Sequence, residues 1–188
     1  MMISAVLDAC VLYLATLRDF LLRLAEGKVF RPFWSEEIRN EWIDNLLYKR
    51  SDLRRKQLER TRREMNFHFP DSLVHGYESI ILTLHLPDPK DRHVLAVAIH
   101  AKAEYIITFN LIDFPNKILQ FYNIESLSPD EFAVRLVRTA PNVVLESVRN
   151  HRLSLICPPK TVDEYLATLE KQGLTKTVAF LRKHEAEI

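Results

Sequence analysis

An α/β fold built on a parallel sheet is what this sequence predicts, and three observations carry the prediction. A short apolar run, Ile3 to Leu7, ends abruptly in Asp8 and suits a buried strand. A second run, Tyr105-Ile106-Ile107-Thr108-Phe109, is β-branched and aromatic and directly follows a helical pattern. Only three glycines occur among 188 residues, which argues against a loop-rich or all-β chain. Strand, helices, helix, strand in that order is the pattern of parallel strands joined by crossover helices.

The elements follow in turn. From Val11 to Leu24, the residues Leu14, Leu17, Leu21 and Leu24 recur at helical spacing, predicting one amphipathic helix closed near Gly27. Ser35 is an N-cap candidate before Glu36 and Glu37, opening a helix that runs through Glu41 to about Tyr48. Ser51 to Phe67 is strongly basic and reads as a helix stopped before Pro70. Asp88-Pro89-Lys90-Asp91 opens another, with Val94, Leu95, Ala98 and Ile99 on one face. Pro89 fits its first position, where a missing N–H costs nothing. A weaker strand is expected around Ile124. Three helical patterns then begin at Ser128-Pro129-Asp130-Glu131, Pro141 and Thr161-Val162-Asp163-Glu164, the first and third as capping boxes. The break before Ser128 divides the chain into residues 1–127 and a helical extension, 128–188, free to pack on the core or stand apart.

Composition narrows the function classes. Hydrophobic residues at 47% and charged residues at 27% are ordinary globular values, so wholesale disorder is excluded. A net charge of +1 means that any nucleic-acid binding must come from local patches. No Gly-rich phosphate-binding motif is present. Cys10 and Cys157 form neither a metal spacing nor a disulfide framework and fit the reduced thiols of a cytoplasmic protein. The N-terminus lacks the features of a signal peptide, and Arg18 and Asp19 interrupt the following apolar stretch too early for a membrane span.

The chemistry is expected in the carboxylates. Open parallel sheets place their sites at the C-terminal ends of strands. Asp8 ends the first strand, Asn110 and Asp113 follow the second, and Asp91 lies in the first turn of the helix leading into it. Glu41, inside its helix, can point toward the same edge. Acids that converge without Lys or Arg repel one another, and a hard cation such as Mg²⁺ or Mn²⁺ resolves this. Such an ion generates hydroxide from water and stabilises a phosphodiester under in-line attack. Each residue also has a purely structural reading. Asp8 can be an Asx-turn or N-cap residue ending its strand, Asp88 reads as an N-cap rather than a ligand, Asp91 suits the helix dipole, Glu41 a solvated face, and Asp113 a loop. His93 and His100, seven apart, form no ligand pair and read as packed or solvated. Trp34 and Trp42 read as core. The basic run that includes Arg54, Arg55 and Arg62 is either a phosphate-contacting or a solvated face.

Four stretches resemble PIN-domain proteins of the VapC-like toxin type: Val6–Leu12, Ser35–Glu41, Leu86–Ala96 and Ile106–Pro115. Pro158-Pro159 and Glu164-Tyr165-Leu166 resemble a helical extension found in one branch of these proteins. The resemblance implies a three-layer α/β/α fold, Mg²⁺ or Mn²⁺, and endonucleolytic cleavage of single-stranded RNA. It also implies a cognate antitoxin that blocks the site, and commonly a homodimer. By position, Asp8, Glu41, Asp91 and Asp113 would be the acidic quartet, with Thr108, Asn110 and Asp88 in support. Asn110 departs from the family, many of whose members carry aspartate there, so a one-metal site is left open. Two alternatives remain at this level: a non-catalytic PIN-like module binding RNA or protein, and a housekeeping RNA-processing nuclease. A haloacid-dehalogenase-like phosphatase is disfavoured, because its general acid would stand where this chain has Cys10.

Overall fold

The computed structural model describes residues 2–188. Four parallel strands form its centre in the order β2-β1-β3-β4: β1 (Ile3–Leu7), β2 (Phe30–Phe33), β3 (Tyr105–Ile107) and β4 (Glu125–Leu127). Helices supply the crossovers that parallel strands require. Between β1 and β2 lie α1 (Ala9–Tyr13) and α2 (Ala15–Glu26). Between β2 and β3 lie α3 (Glu36–Lys49), α4 (Arg55–His68), the single turn α5 (Glu78–Ile81) and α6 (Arg92–Ala101). The short α7 (Asn116–Leu119) joins β3 to β4. Central Ala5, Val6, Leu7, Ile106 and Ile107 are wholly buried, as a strand covered on both faces requires. The parallel α/β expectation is met.

Local departures have physical causes. The helix expected from Val11 to Leu24 is two helices, because Leu14 is extended (φ −83°, ψ 103°). The kink frees the Leu12 carbonyl, which accepts a hydrogen bond from buried Arg18 at 3.1 Å. Gly27 does cap α2, but in an ordinary conformation (φ −68°); Lys28 takes the left-handed one. What Gly27 provides is room, since a Cβ there would stand 2.3 Å from Ser147 Oγ. Strand β2 escaped the sequence reading because Pro32 demotes the run Phe30–Phe33; it is tolerated because β2 is an edge strand. The basic helix starts at Arg55 rather than Ser51, and Pro89–Asp91 forms a 3-10 turn ahead of α6.

The C-terminal helices are α8 (Pro129–Thr139), α9 (Pro141–Ser154), α10 (Val162–Lys171) and α11 (Thr175–Leu181). Both expected capping boxes form, at Ser128 and Thr161, while α11 was not anticipated. These helices pack on the sheet and its crossovers. Phe132 meets Phe30 edge-on at 4.9 Å, and Arg135 reaches Glu125 and the Tyr105 hydroxyl at 2.7 and 2.8 Å.

One buried acid ties α11 to α8. The Asp130 carboxylate accepts from the Lys176 and Thr177 backbone N–H groups, both at 2.9 Å, and from the Thr177 hydroxyl at 2.7 Å. Truncation leaves those donors unpaired, so Asp130→Ala should lower the unfolding free energy by about 2 kcal/mol. Asp130→Asn should cost less, because it keeps an acceptor. Urea unfolding at neutral pH measures both; an unchanged midpoint in Asp130→Ala would mean that Val178 and Leu181 hold α11 alone.

Candidate active site

Parallel register sets the site. Leu7 pairs with Ile107, so the residues leaving β1 and β3 emerge side by side. Asp8 N donates to the Ile107 carbonyl at 3.1 Å. The Asp8 carboxylate is pinned three ways. Its Oδ1 caps α1 by accepting from Ala9 N at 2.6 Å. Its Oδ2 accepts from the Thr108 hydroxyl at 2.7 Å and from the Cys10 thiol at 3.1 Å. Burial, then the Asp8 charge, pushes the Cys10 thiol up to about 12, so it stays a protonated donor. Thr108 Oγ1 in turn accepts from Asn110 N at 3.0 Å, which fixes the loop carrying Asn110.

The other acids arrive from the crossover. Asp88 caps the 3-10 turn through Lys90 N at 2.8 Å, so its structural reading holds, and the turn delivers Asp91. Helix α3 packs on α1 and brings Glu41. Asp8, Glu41, Asp88, Asp91 and Asn110 line one cleft of about 400 Å³, together with Tyr13, Asn45, Lys49 and Lys90. Asp113 is not among the lining residues, but its charge reaches Asp91. Among the described residues, no Lys, Arg or His comes within 4.0 Å of the Asp8, Asp88, Asp91 or Asp113 carboxylates. Burial, and then repulsion from Asp8, Asp113 and Asp88, pushes the Asp91 carboxyl up to about 6.

His93 is deeply buried, and the sequence reading missed its role. Its Nε2 lies 3.1 Å from Glu41 Oε1, and its Nδ1 lies 3.8 Å from Glu37 Oε2. The Glu41 approach is bent away from a straight hydrogen bond. Burial alone would lower the His93 proton affinity, but the contact with Glu41 and the charges of Glu41, Glu37 and Asp8 outweigh it and raise it. The ring thus sits beside both Glu41 and Glu37, one turn apart on α3. The sequence shows that Glu37, Glu41, Asn45 and Lys49 repeat every four residues and so share one stripe of α3, but not that this stripe meets His93.

The donor set suits a hard divalent cation: carboxylate and amide oxygens, mutually repelling, at an open mouth. Among the described residues, no three Asp, Glu, His or Cys side chains are already drawn into a closed cluster. Of the basic residues on α4, Arg62 pairs with Glu36 and Glu59, and Arg55 with Asp44, while Arg54, which precedes the helix as its N-cap, has no ion pair among the described residues. Trp34 and Trp42 are wholly buried, as core residues. No described helix is long and apolar enough to cross a membrane.

Comparison with known proteins places the chain in a family. Residues 4–111 match the family described as PIN domain, and residues 129–183 match the one described as VapC50 C-terminal domain. A curated protein of Mycobacterium tuberculosis named "Putative ribonuclease VapC50" is 34% identical over 97 residues, 52% of this chain and 57% of that protein. The chain thus spans little more than half the length of that relative. No solved structure matches. With the match covering more than half of its residues, the chain belongs to the PIN-domain family, in a form followed by a VapC50-type C-terminal domain.

Proposed function

We propose that this chain is a metal-dependent endoribonuclease acting on single-stranded RNA, the toxin of a toxin–antitoxin pair. The observation that carries the reading is the uncompensated convergence of Asp8, Asp88 and Asp91 in one cleft, with Asp91 pushed up to about 6. Mg²⁺ or Mn²⁺, held by Asp8 and Asp91 with Glu41 and Asp113 as outer acids, would supply an activated water and charge stabilisation for the phosphodiester. The chain's own residues do the rest. Ala9 N–H, Thr108 and Cys10 hold Asp8 in one orientation, and His93 holds Glu41. Asn110 presents an amide to water or substrate. Arg54 at the start of α4, together with Arg55 and Arg62 on the helix exchanging carboxylate for phosphate, gives outlying contacts to the strand.

The named relative and the matched C-terminal domain support the ribonuclease and toxin parts of this reading. The partners are an antitoxin protein that covers the acidic cleft and a second copy of the chain. The setting is the cytoplasm, where free Cys10 and Cys157 persist. The chain boundary stays between residues 127 and 128.

Purified, partner-free protein should cut a mixed single-stranded RNA with Mg²⁺ or Mn²⁺, and not in EDTA. Its expression alone should arrest growth, and co-expression of the antitoxin should relieve the arrest. Cleavage undiminished by EDTA would remove the metal from the mechanism. No cleavage by folded protein with either metal would leave a binding module.

A further inference from the structure

An acidic floor repels the very polymer it is meant to cut, so something in the cleft must attract phosphate. The α4 arginines are partly committed elsewhere: Arg55 to Asp44, Arg62 to Glu36 and Glu59. Two other cations line the cleft itself. Lys49 comes from the last turn of α3 and Lys90 from the 3-10 turn before α6, both exposed. Although four carboxylates line the same cleft, neither lysine lies within 4.0 Å of an acid among the described residues. Ammonium groups left unpaired beside so many carboxylates are available to an incoming anion.

The lining has a further order. Four carboxylates against two ammonium groups leave a deficit of two charges, which a single divalent cation cancels. With such an ion bound, the charges lining the cleft would sum to zero. The Lys49 Nζ stands 5.5 Å from the ring centroid of half-buried Tyr13, which also lines the cleft. An aromatic ring lining the cleft, with an ammonium over it, combines a stacking surface with a phosphate contact. The amides of Asn45 and Asn110 add donors and acceptors suited to base edges. Lysines from separate elements are satisfied together by a ligand carrying more than one phosphate.

We propose that Lys49 and Lys90 hold the backbone phosphates flanking the cleaved phosphodiester of a single strand, and that Tyr13 stacks the adjoining base. This rests on the nuclease reading above and names the substrate subsites within it.

The test is binding rather than turnover. Fluorescence anisotropy of a labelled single-stranded RNA is followed over a salt series in Ca²⁺, another hard oxygen-binding cation, with strand integrity checked on a gel. Each phosphate contact on a single strand contributes about 0.7 to the slope of log K against log salt. The double variant Lys49→Ala/Lys90→Ala should lower the slope by about 1.4 and weaken low-salt binding at least about tenfold, and Lys49→Arg/Lys90→Arg should restore both. Tyr13→Leu should weaken binding about tenfold with the slope unchanged, and Tyr13→Trp should recover it. Wild-type binding with an unaltered slope and affinity in the double alanine variant would overturn the lysine subsites and leave the nuclease reading standing. Unchanged affinity in Tyr13→Leu would overturn the stacking. A wild type that binds no single strand would overturn the nuclease reading, and the subsites with it.

Discussion

Replacing Asp8 or Asp91 by asparagine should lower metal-dependent RNA cleavage by at least about a thousandfold, or roughly 4 kcal/mol of transition-state stabilisation, while the fold persists. Asparagine is chosen because Asp8 has two jobs. Its Oδ1 caps α1 through Ala9 N, and asparagine caps a helix about as well as aspartate. Its Oδ2 accepts from Thr108 and Cys10, where an amide nitrogen would meet a hydroxyl free to rotate and act as acceptor. The capping loss is therefore small, and what disappears is the charge. Asp91 caps nothing with its side chain. Removing its charge also relieves the repulsion from Asp8, Asp113 and Asp88, so Asp91→Asn should be no less stable than wild type, and by that argument more stable above pH 6. Cleavage rates with Mg²⁺ and Mn²⁺, set beside urea unfolding of the same proteins, decide the matter. Lost activity with retained stability assigns both residues to the chemistry, whereas retained metal-dependent cleavage in both variants would remove the acidic site from the reaction.

Much of this was legible in the sequence for a simple reason. Where one local signal had no competitor, it was right: the apolar run Ile3–Leu7, the caps at Ser35, Ser128 and Thr161, and the Asp88-Pro89 turn all form where the residues say. Where two signals competed, the pattern misled. Leu14, Leu17, Leu21 and Leu24 continue a helical period that the extended Leu14 interrupts, and only the buried Arg18, bonded to the freed Leu12 carbonyl, makes the break tolerable. Strand β2 was not anticipated, and the edge position that makes Pro32 tolerable there is invisible in one dimension. Within the site, acids at strand ends could be read from the order of elements. The stripe Glu37, Glu41, Asn45 and Lys49, and the approach of His93 to Glu41, depend on which face of α3 meets α6. That choice is made by tertiary packing.

The second large effect lies away from the cleft, at His151, where α9 meets α2 and α10. Its ring is almost wholly buried and its Nδ1 is 2.9 Å from the Tyr165 hydroxyl, with Phe20 of α2 packed beside it. Burial, and then the charge of Arg23, pulls the imidazolium down to about 4. Below the ordinary histidine value of about 6.5 the unfolded chain takes up a proton that the folded chain refuses, so the contribution of His151 to stability falls with pH and levels off near 4. Integrated to pH 4.5, that is a loss of about 2.5 kcal/mol. The whole-protein curve will not display it directly. Asp91, pushed up to about 6, gains protons on folding in the same window and works in the opposite direction. Asp19, Glu26, Glu64 and His68 line the same cavity as His151. The difference between wild type and His151→Gln isolates the term, because glutamine keeps a partner for Tyr165 and cannot titrate. Urea unfolding at pH 7.5 and pH 4.5 should show the stability gap shifting by about 2.5 kcal/mol in favour of the variant at low pH. A gap that stays constant would mean that the folded protein opens enough around His151 to protonate it at no cost. The C-terminal helices would then be held on the core less rigidly than their packing implies. A shifting gap with a single transition would make α2, α9 and α10 one cooperative unit, joined across the proposed boundary at residue 128.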